Sequence, residues 1–580
     1  MEQALDKNLM ERVQVWLDGN YDNDTKAQIL DLMKNKPAEL SDAFYRDLEF
    51  GTGGLRGIMG PGTNRMNKYT VGMATQGLAN YLKKVFPDAK PVKLAVSHDS
   101  RNNSRYFAEI VSEVLTANGF RVYLFDDIRP TPELSFAIRQ LQCHSGIMIT
   151  ASHNPKEYNG YKAYWSDGAQ MIAPHDVKVM EEVGKIHSIN NVKWNGNPAE
   201  IVRIGEDIDK IYLNKILGLS LSPDSVKRHR DLKIVYTPLH GCGRILVPRI
   251  LSLYGFENVS VVKEQAVADG NFPTVHSPNP EEPGAMNMAL ELARKIHADL
   301  VMATDPDADR VGIAIPDKSG NYIRLNGNQT AAILFYYVLT RWQEKKMLKG
   351  NEFIVKTIVT TDLLNEIAGK FDVTCFDCLT GFKYIADVIR SNEGKLKYII
   401  GGEESFGYLA GDFVRDKDSL SACSLIAEAA AWTADRNQTL FDLLLQIYKE
   451  FGFYKEQLFS VTKKGKKGAD EIRKMMIDYR KNPMKEICGC KVIQIKDLQS
   501  LKNMDVITGN VQEIDLPASN VLQFFLEDGT KISMRPSGTE PKIKFYFSVR
   551  HKGNGKEDYD QIMQILDQKI HQLIEAMHLT

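Results

Sequence analysis

The stretch ALELARKIHADLVMATDPDADR, Ala289 to Arg310, leads from helically spaced apolar residues into the strand-like run DLVMAT and then into an acidic loop. A helix followed by a strand whose exit carries polar side chains is the α/β pattern. In open α/β sheets ligands gather beyond the carboxyl ends of the strands, so the loop after Thr304 is a candidate site. Asp305, Asp307 and Asp309 alternate within five residues stiffened by Pro306. Carboxylates this close repel one another unless a cation lies between them. An EF-hand is excluded, because the sixth position is Arg310 rather than glycine and the twelfth is Pro316 rather than glutamate. A solvated acidic turn is the alternative; the strand exit favours a metal, and oxygen ligands point to Mg2+.

Outward from this loop the same alternation recurs. KLAVSHD (Lys93 to Asp99) is strand-like, Asn103 to Asn118 has helical spacing and RVYLFDD (Arg121 to Asp127) is a second strand. DLKIVYTPLHG, GRILVPRILSLYGF and VSVVKE repeat the order before Ala289, and NEFIVKTIVTT through KLKYIIGGEESFGYL repeats it again. The fold class is therefore α/β with mainly parallel mixed sheets. The run VLQFFLEDGTKISMRPSGTEPKIKFYFSVR and the helical stretch Tyr559 to Met577 form an α+β tail. The expected domains are 1–210, with an N-terminal helical extension, then 211–325, 326–460 and 485–580. The charged, glycine-punctuated segment Lys463 to Gly468 reads as a linker or exposed loop.

At 580 residues the chain is too long for one core, and about three to five domains are expected. Hydrophobic residues make up 43% and charged residues 25%, as in an ordinary soluble globular chain. Lys and Arg total 73 against 74 Asp and Glu, so no net field recruits nucleic acid or a membrane, and any phosphate site must be local. The N-terminus reads as an amphipathic helix without the marks of a signal peptide. Seven scattered cysteines suit a reducing cytoplasm better than a disulfide framework. Neither Cys375-Phe-Asp-Cys378 nor Cys488-Gly-Cys490 has a second pair at zinc spacing, so neither carries a metal or redox role.

A second strand exit lies in ITASHNPKEYNGYKAYW, Ile149 to Trp165. Reading GIMIT as a buried strand puts Ser152 at its carboxyl end, before the Asn154-Pro155 and Asn159-Gly160 turn signals. The side chain is expected at the sheet rim, facing solvent. A lone serine there usually satisfies local backbone groups, so a functional reading needs supporting chemistry elsewhere. The tail supplies it: Arg535, Ser537, Gly538 and Thr539 offer a guanidinium fork, two hydroxyls and backbone amides in one turn. No GxxxxGK[ST] nucleotide loop, GxSxG elbow or HExxH helix is present. A serine, a metal loop and a phosphate clamp without a nucleotide site point to an enzyme that moves phosphate within its own substrate.

TASHNP, DPDADR, GEESFG and RPSGTEP, in that order, resemble the four signature loops of the α-D-phosphohexomutase superfamily, and the resemblance extends from FGTGGLRG (Phe50 to Gly57) to the tail. It implies three related α/β domains and a smaller α+β domain around one central cleft. It makes Ser152 a phosphoserine, with Asp305, Asp307, Asp309 and a phosphoserine oxygen around Mg2+. It assigns sugar hydroxyls to Glu403 and Ser405, and the non-reacting phosphate to Arg535, Ser537, Gly538 and Thr539. Arg56 and Arg310 would line the catalytic end, while Lys383 of TGFK and Lys417 of RDKD orient substrate. Lys162 matches a proton-shuttling lysine whose pKa nearby cations are expected to lower, and His153 is the rival base.

The implied activity is that of phosphoglucomutases, with glucose 1,6-bisphosphate as primer and intermediate. GEES resembles the glucose-type loop, where dual-specificity mutases carry a GEMSGH-like one. Longer stretches such as NGYKAYWSDGAQM resemble the branch that includes phosphopentomutases, so mannose and pentose phosphates are alternatives. A non-catalytic sugar-phosphate binding protein on the same scaffold is the reading from another class. The only expected partner is a small phosphosugar, on a cytoplasmic monomer or homodimer.

Overall fold

The computed structural model describes residues 7–49, 54–463, 465–537, 542–553 and 558–579, without the side chains of 465–467. The chain forms two compact units, one of residues 1–325, 389–391 and 405–436, the other of 326–388, 392–404 and 437–580.

In the first unit, the N-terminal helices Lys7–Asp18, Asn23–Asn35 and Pro37–Phe44 bury a shared apolar cluster. Leu9, Val13 and Trp16 recur at helical spacing along one face, which is why the first helix docks here. A six-stranded mixed sheet follows, in the spatial order Leu55–Ile58, Tyr158–Trp165, Ser145–Ile149, Lys93–His98, Arg121–Phe125 and Ile201–Ile204. The last four strands run parallel and the first two are antiparallel additions. Asn159-Gly160 is thus no turn, contrary to the sequence reading, but the interior of a strand. A Cβ on Gly160 would lie 2.5 Å from the Thr150 carbonyl oxygen and 2.9 Å from that of Leu55, so the glycine permits close backbone approach.

The second sheet orders Tyr322–Leu325, Val311–Pro316, Leu300–Thr304, Ile234–Thr237 and Val259–Val261, again with a parallel core and antiparallel additions. The helix Ser419–Ala434, buried from Ser419 to Thr433, packs on Leu300–Thr304 and on the helix Gly243–Tyr254. A helix apolar all round belongs in a core. Its N-terminus therefore arrives beside the acidic loop.

The second unit holds the parallel strands Thr374–Cys378, Glu352–Thr357 and Lys397–Glu403. It also holds an antiparallel sheet ordered Phe453–Thr462, Lys542–His551, Lys531–Pro536, Leu522–Leu526, Cys490–Asp497, Lys502–Asp505 and Val511–Glu513. The helix Tyr559–Ala576 packs on the first two strands of that sheet. The expected linker at Lys463 to Gly468 is instead the start of a helix, Gly465–Lys481; Lys464 lies outside the described residues. Ile472 and Met476, one turn apart, are buried, and that burial anchors a helix whose first turn is too charged to show in composition. The seven cysteines are free, and Cys488-Gly489, both with positive φ, form the two-residue turn of a hairpin. Among the described residues no helix is long and apolar enough to cross a membrane.

Candidate active site

Ser152 follows the strand Ser145–Ile149 by three residues and adopts the left-handed region at φ 52°. It does not face solvent as its place in the sequence suggests, for it is only 3% exposed. The acidic loop covers it: Ser152 Oγ donates to Asp305 Oδ2 at 2.7 Å and lies 3.1 Å from His153 Nδ1. A chain segment 153 residues away supplies the wall that a strand end alone lacks.

The acidic loop is a closed turn. Asp305 Oδ1 accepts the backbone N–H groups of Asp309 and Arg310 at 3.1 and 3.0 Å, and Ala308 takes a positive φ. Two helix starts clamp it. Thr131 donates its N–H to the Asp307 carbonyl and its hydroxyl to Asp307 Oδ2, both at 2.9 Å, and Ser419 Oγ donates to the Ala308 carbonyl at 2.5 Å. All three aspartates are buried, and they offer carboxylate oxygens within 4.8 Å of one another. Asp307 Oδ1 and Asp309 Oδ1 are buried without a hydrogen-bond partner. Burial, reinforced by the Asp307 and Asp309 carboxylates, pushes Asp305 well above the usual carboxylate range. Such crowding, with two orphaned hard oxygen donors, fits a divalent cation.

Two ammonium groups complete the floor. Lys162 Nζ donates to Asp307 Oδ2 at 2.7 Å and to Asp309 Oδ2 at 3.3 Å. Lys417 Nζ lies 3.1 Å from Asp309 Oδ2 and donates to Asp416 Oδ1 at 3.0 Å. Lys417 thus sits at the acidic cluster. Burial opposes the charged form of Lys162, but Asp307 and Asp309 more than offset it, so its pKa is raised rather than lowered as expected. Burial, with Arg310 and Arg56 beside it, pushes His153 well below its ordinary value. Arg56 reaches Asn154 Oδ1 at 3.4 Å, and Arg310 pairs with Glu281 at 2.6 Å and lies 3.9 Å from Asp309.

In the second unit, Glu403 is buried and accepts the Gly381 N–H at 2.8 Å, which ties the GEES carboxylate to the TGFK turn. Lys383, in the first turn of the helix Phe382–Ser391, lies over the Tyr384 ring at 5.3 Å. Glu404 Oε2 accepts from Thr357 and Thr360, each at 3.1 Å, so it serves its own sheet. Arg535 lies in the strand Lys531–Pro536, and the Ser537 N–H donates to the Lys542 carbonyl at 2.7 Å. Gly538 and Thr539 lie outside the described residues. Ser405, counted in the first unit, is half-buried.

Thr131, Ser419, Asp99 and Arg101 carry contacts that no motif singles out, and Thr150, the first residue of TASHNP, has no role assigned by that motif. The available signal for Asp99 and Arg101 was positional: SHDSR leaves the strand Lys93–His98 at its carboxyl end, as the acidic loop leaves its own.

Parallel sheets whose strand exits bring a buried serine against a cation-ready carboxylate triad define a multidomain α/β enzyme suited to phosphoryl transfer. Family models described as phosphoglucomutase/phosphomannomutase α/β/α domains I, II and III match residues 47–190, 210–320 and 326–451. The chain belongs to the phosphoglucomutase/phosphomannomutase family. It is similar to a phosphoglucomutase of Staphylococcus haemolyticus, 37% identical over 90% of this chain and 93% of that protein. It is likewise similar to a phosphoglucomutase of Staphylococcus aureus, 38% identical over 92% of this chain and 94% of that protein. Two solved structures share the fold. Parafusin of Paramecium has a TM-score of 0.68 at 18% identity, covering 92% of this chain and 95% of that one. A phosphoglucomutase/phosphomannomutase family protein of Burkholderia thailandensis has a TM-score of 0.64 at 18% identity, covering 90% and 96%.

Proposed function

We propose that the chain interconverts glucose 1-phosphate and glucose 6-phosphate, with Ser152 as phosphate carrier. The observation that carries this reading is the buried Ser152 hydroxyl, 2.7 Å from Asp305 of a carboxylate triad in which two oxygens have no hydrogen-bond partner. Mere binding of a sugar phosphate needs no such nucleophile.

In the forward direction the Oγ–P bond of phospho-Ser152 breaks as the sugar 6-hydroxyl forms its own O–P bond and loses its proton. The resulting glucose 1,6-bisphosphate turns over and returns its 1-phosphate to Ser152 Oγ, leaving glucose 6-phosphate. Lys162, held by Asp307 and Asp309, and His153, against Ser152 Oγ, are the two groups positioned to exchange that proton. Arg56 and Arg310 balance phosphoryl charge, with Lys417 and Lys383 orienting the sugar. Glu403 and Ser405 take its hydroxyls, and Arg535, Ser537, Gly538 and Thr539 take the idle phosphate. Mg2+ held by Asp305, Asp307, Asp309 and a phosphoserine oxygen would supply charge neutralisation. We place the enzyme in the cytoplasm, consistent with its seven free cysteines.

A coupled assay primed with glucose 1,6-bisphosphate tests the reading on three sugars. A substrate that binds in two orientations must be read through hydroxyls that stay similarly placed, the 3- and 4-hydroxyls of a hexose. Glucose and mannose share these, whereas the pentose ring leaves donors and acceptors unpaired. kcat/KM should rank glucose 1-phosphate first, mannose 1-phosphate second and ribose 1-phosphate last, with Glu403→Ala flattening the order. A pentose preference overturns the glucose assignment, and no turnover of any sugar overturns the enzyme.

A further inference from the structure

Ser152 holds a left-handed backbone conformation, at φ 52°, that a non-glycine residue keeps only when its surroundings impose it. Its two backbone polar groups show what imposes it. The Ser152 N–H donates to Thr150 Oγ1 at 2.8 Å. Thr150 Oγ1 spends its own proton on Asp99 Oδ2 at 2.6 Å, leaving a lone pair for the serine amide. The Ser152 carbonyl accepts from Arg101 Nη2 at 2.6 Å.

Arg101 does more than hold one carbonyl. The same guanidinium donates to the carbonyls of Asn154, of Pro155 at 2.9 Å and of Tyr158 at 3.1 Å, so the loop from Ser152 to Tyr158 is wrapped around it. Its side chain is fully buried beside that of Asp99, with Arg101 Nε 3.4 Å from Asp99 Oδ2. The Asp99 Oδ1 atom accepts the Arg101 N–H at 3.0 Å and the Ser104 hydroxyl at 2.6 Å. From the loop between the strand Val259–Val261 and the helix Asn287–Ile296, the Phe272 ring covers the guanidinium at 5.0 Å. The Ser152 hydroxyl itself is hydrogen-bonded to Asp305 and His153 rather than to any of these side chains.

We infer that Asp99, Thr150 and Arg101 are positioning residues for phosphoryl transfer at Ser152. One buried carboxylate fixes both ends of the serine's backbone, its amide through Thr150 and its carbonyl through Arg101. The planar, fixed fork of Arg101 sets the curvature of the loop that aims Oγ at Asp305. The transfer requires Oγ and phosphorus to meet in line, so an error of about 1 Å costs on the order of 100-fold in rate. The inference rests on the reading of Ser152 as phosphate carrier, and its test separates the two.

The decisive pair of variants is Thr150→Val and Thr150→Ser in the full chain. Valine keeps the shape and removes the oxygen that bridges Asp99 to the serine amide; serine keeps the oxygen. Three quantities are measured: kcat and KM for glucose 1-phosphate, uptake of phosphate by Ser152 from glucose 1,6-bisphosphate followed by intact mass, and hydrogen exchange of the 150–158 segment. For Thr150→Val we expect kcat and phosphate uptake to fall about 30- to 100-fold with KM within about twofold, and exchange in the segment to rise about tenfold or more. Thr150→Ser should recover to within about threefold on each readout. Arg101→Lys should lie near Thr150→Val, because one ammonium cannot serve four carbonyls. Wild-type kcat and exchange in folded Thr150→Val overturn the positioning role. If the unmodified protein neither turns over nor takes up phosphate at Ser152, the carrier reading fails. Exchange then still judges whether Thr150 holds the serine loop, and unchanged exchange in Thr150→Val overturns that as well.

Discussion

Gly160→Ala tests how tightly the strand Tyr158–Trp165 is held between its neighbours. The added Cβ would sit 2.5 Å from the Thr150 carbonyl oxygen, about 0.9 Å short of ordinary contact, and 2.9 Å from that of Leu55 on the opposite side. Both obstacles are backbone atoms, one in the strand Leu55–Ile58 and one just past the strand Ser145–Ile149, where the Thr150 N–H donates to the Gly160 carbonyl, so neither can rotate away. Overpacking of this kind costs roughly 3 kcal/mol, of which the stiffer unfolded chain returns about 0.5–1 kcal/mol, leaving about 2 kcal/mol. The first unit's thermal transition should fall by roughly 3 °C. The strain reaches the chemistry because Thr150 is the residue whose hydroxyl holds the Ser152 amide. A shift approaching 1 Å there should lower kcat on the order of 100-fold. Thermal scans at matched rates, urea unfolding and the coupled mutase assay read the two effects separately. An alanine enzyme that melts with the wild type and turns over at its rate would refute the close-approach argument.

Ser152→Ala should abolish turnover and phosphate uptake while leaving the melting temperature within a few degrees, and near-normal mutase activity in that variant sinks the carrier mechanism. Asp307→Asn, or chelation of the wild type, should lower kcat far more than KM; full activity after thorough chelation would reduce the acidic loop to a structural turn. Burial raises Glu456 from its ordinary value of 4.5 to about 7, so the folded chain keeps a proton that the unfolded chain releases. The stability this contributes is complete below about pH 4.5 and lost as pH rises through about 7. Relative to Glu456→Gln, the wild type should therefore lose roughly 2–3 kcal/mol across that window in urea titrations, and parallel pH profiles would refute it.

Much of the fold was legible because it is local. Apolar runs such as LVMAT and helical spacings such as Leu9, Val13 and Trp16 declare their elements through periodicity, and the order of elements declares an α/β chain. Asp305, Asp307 and Asp309 were legible for the same reason, since three carboxylates in five residues announce their mutual repulsion without any neighbour. What the sequence could not hold was distance across the chain. Asn159-Gly160 has the composition of a turn, and only the carbonyls of Thr150 and Leu55 pressing from both sides make the glycine a strand residue. Ser152 has the sequence neighbourhood of an exposed strand end, and only the arrival of Asp305 buries it. Lys162 was expected to be discharged by cations, yet its closest partners are the carboxylates of Asp307 and Asp309 in the loop that leaves another sheet. Residue types and their spacing along the chain thus determined which chemistry was possible. Tertiary packing decided which groups are buried together, and with that the hydrogen bonds and pKa values, because desolvation and Coulomb interactions depend on separation in space and not along the sequence.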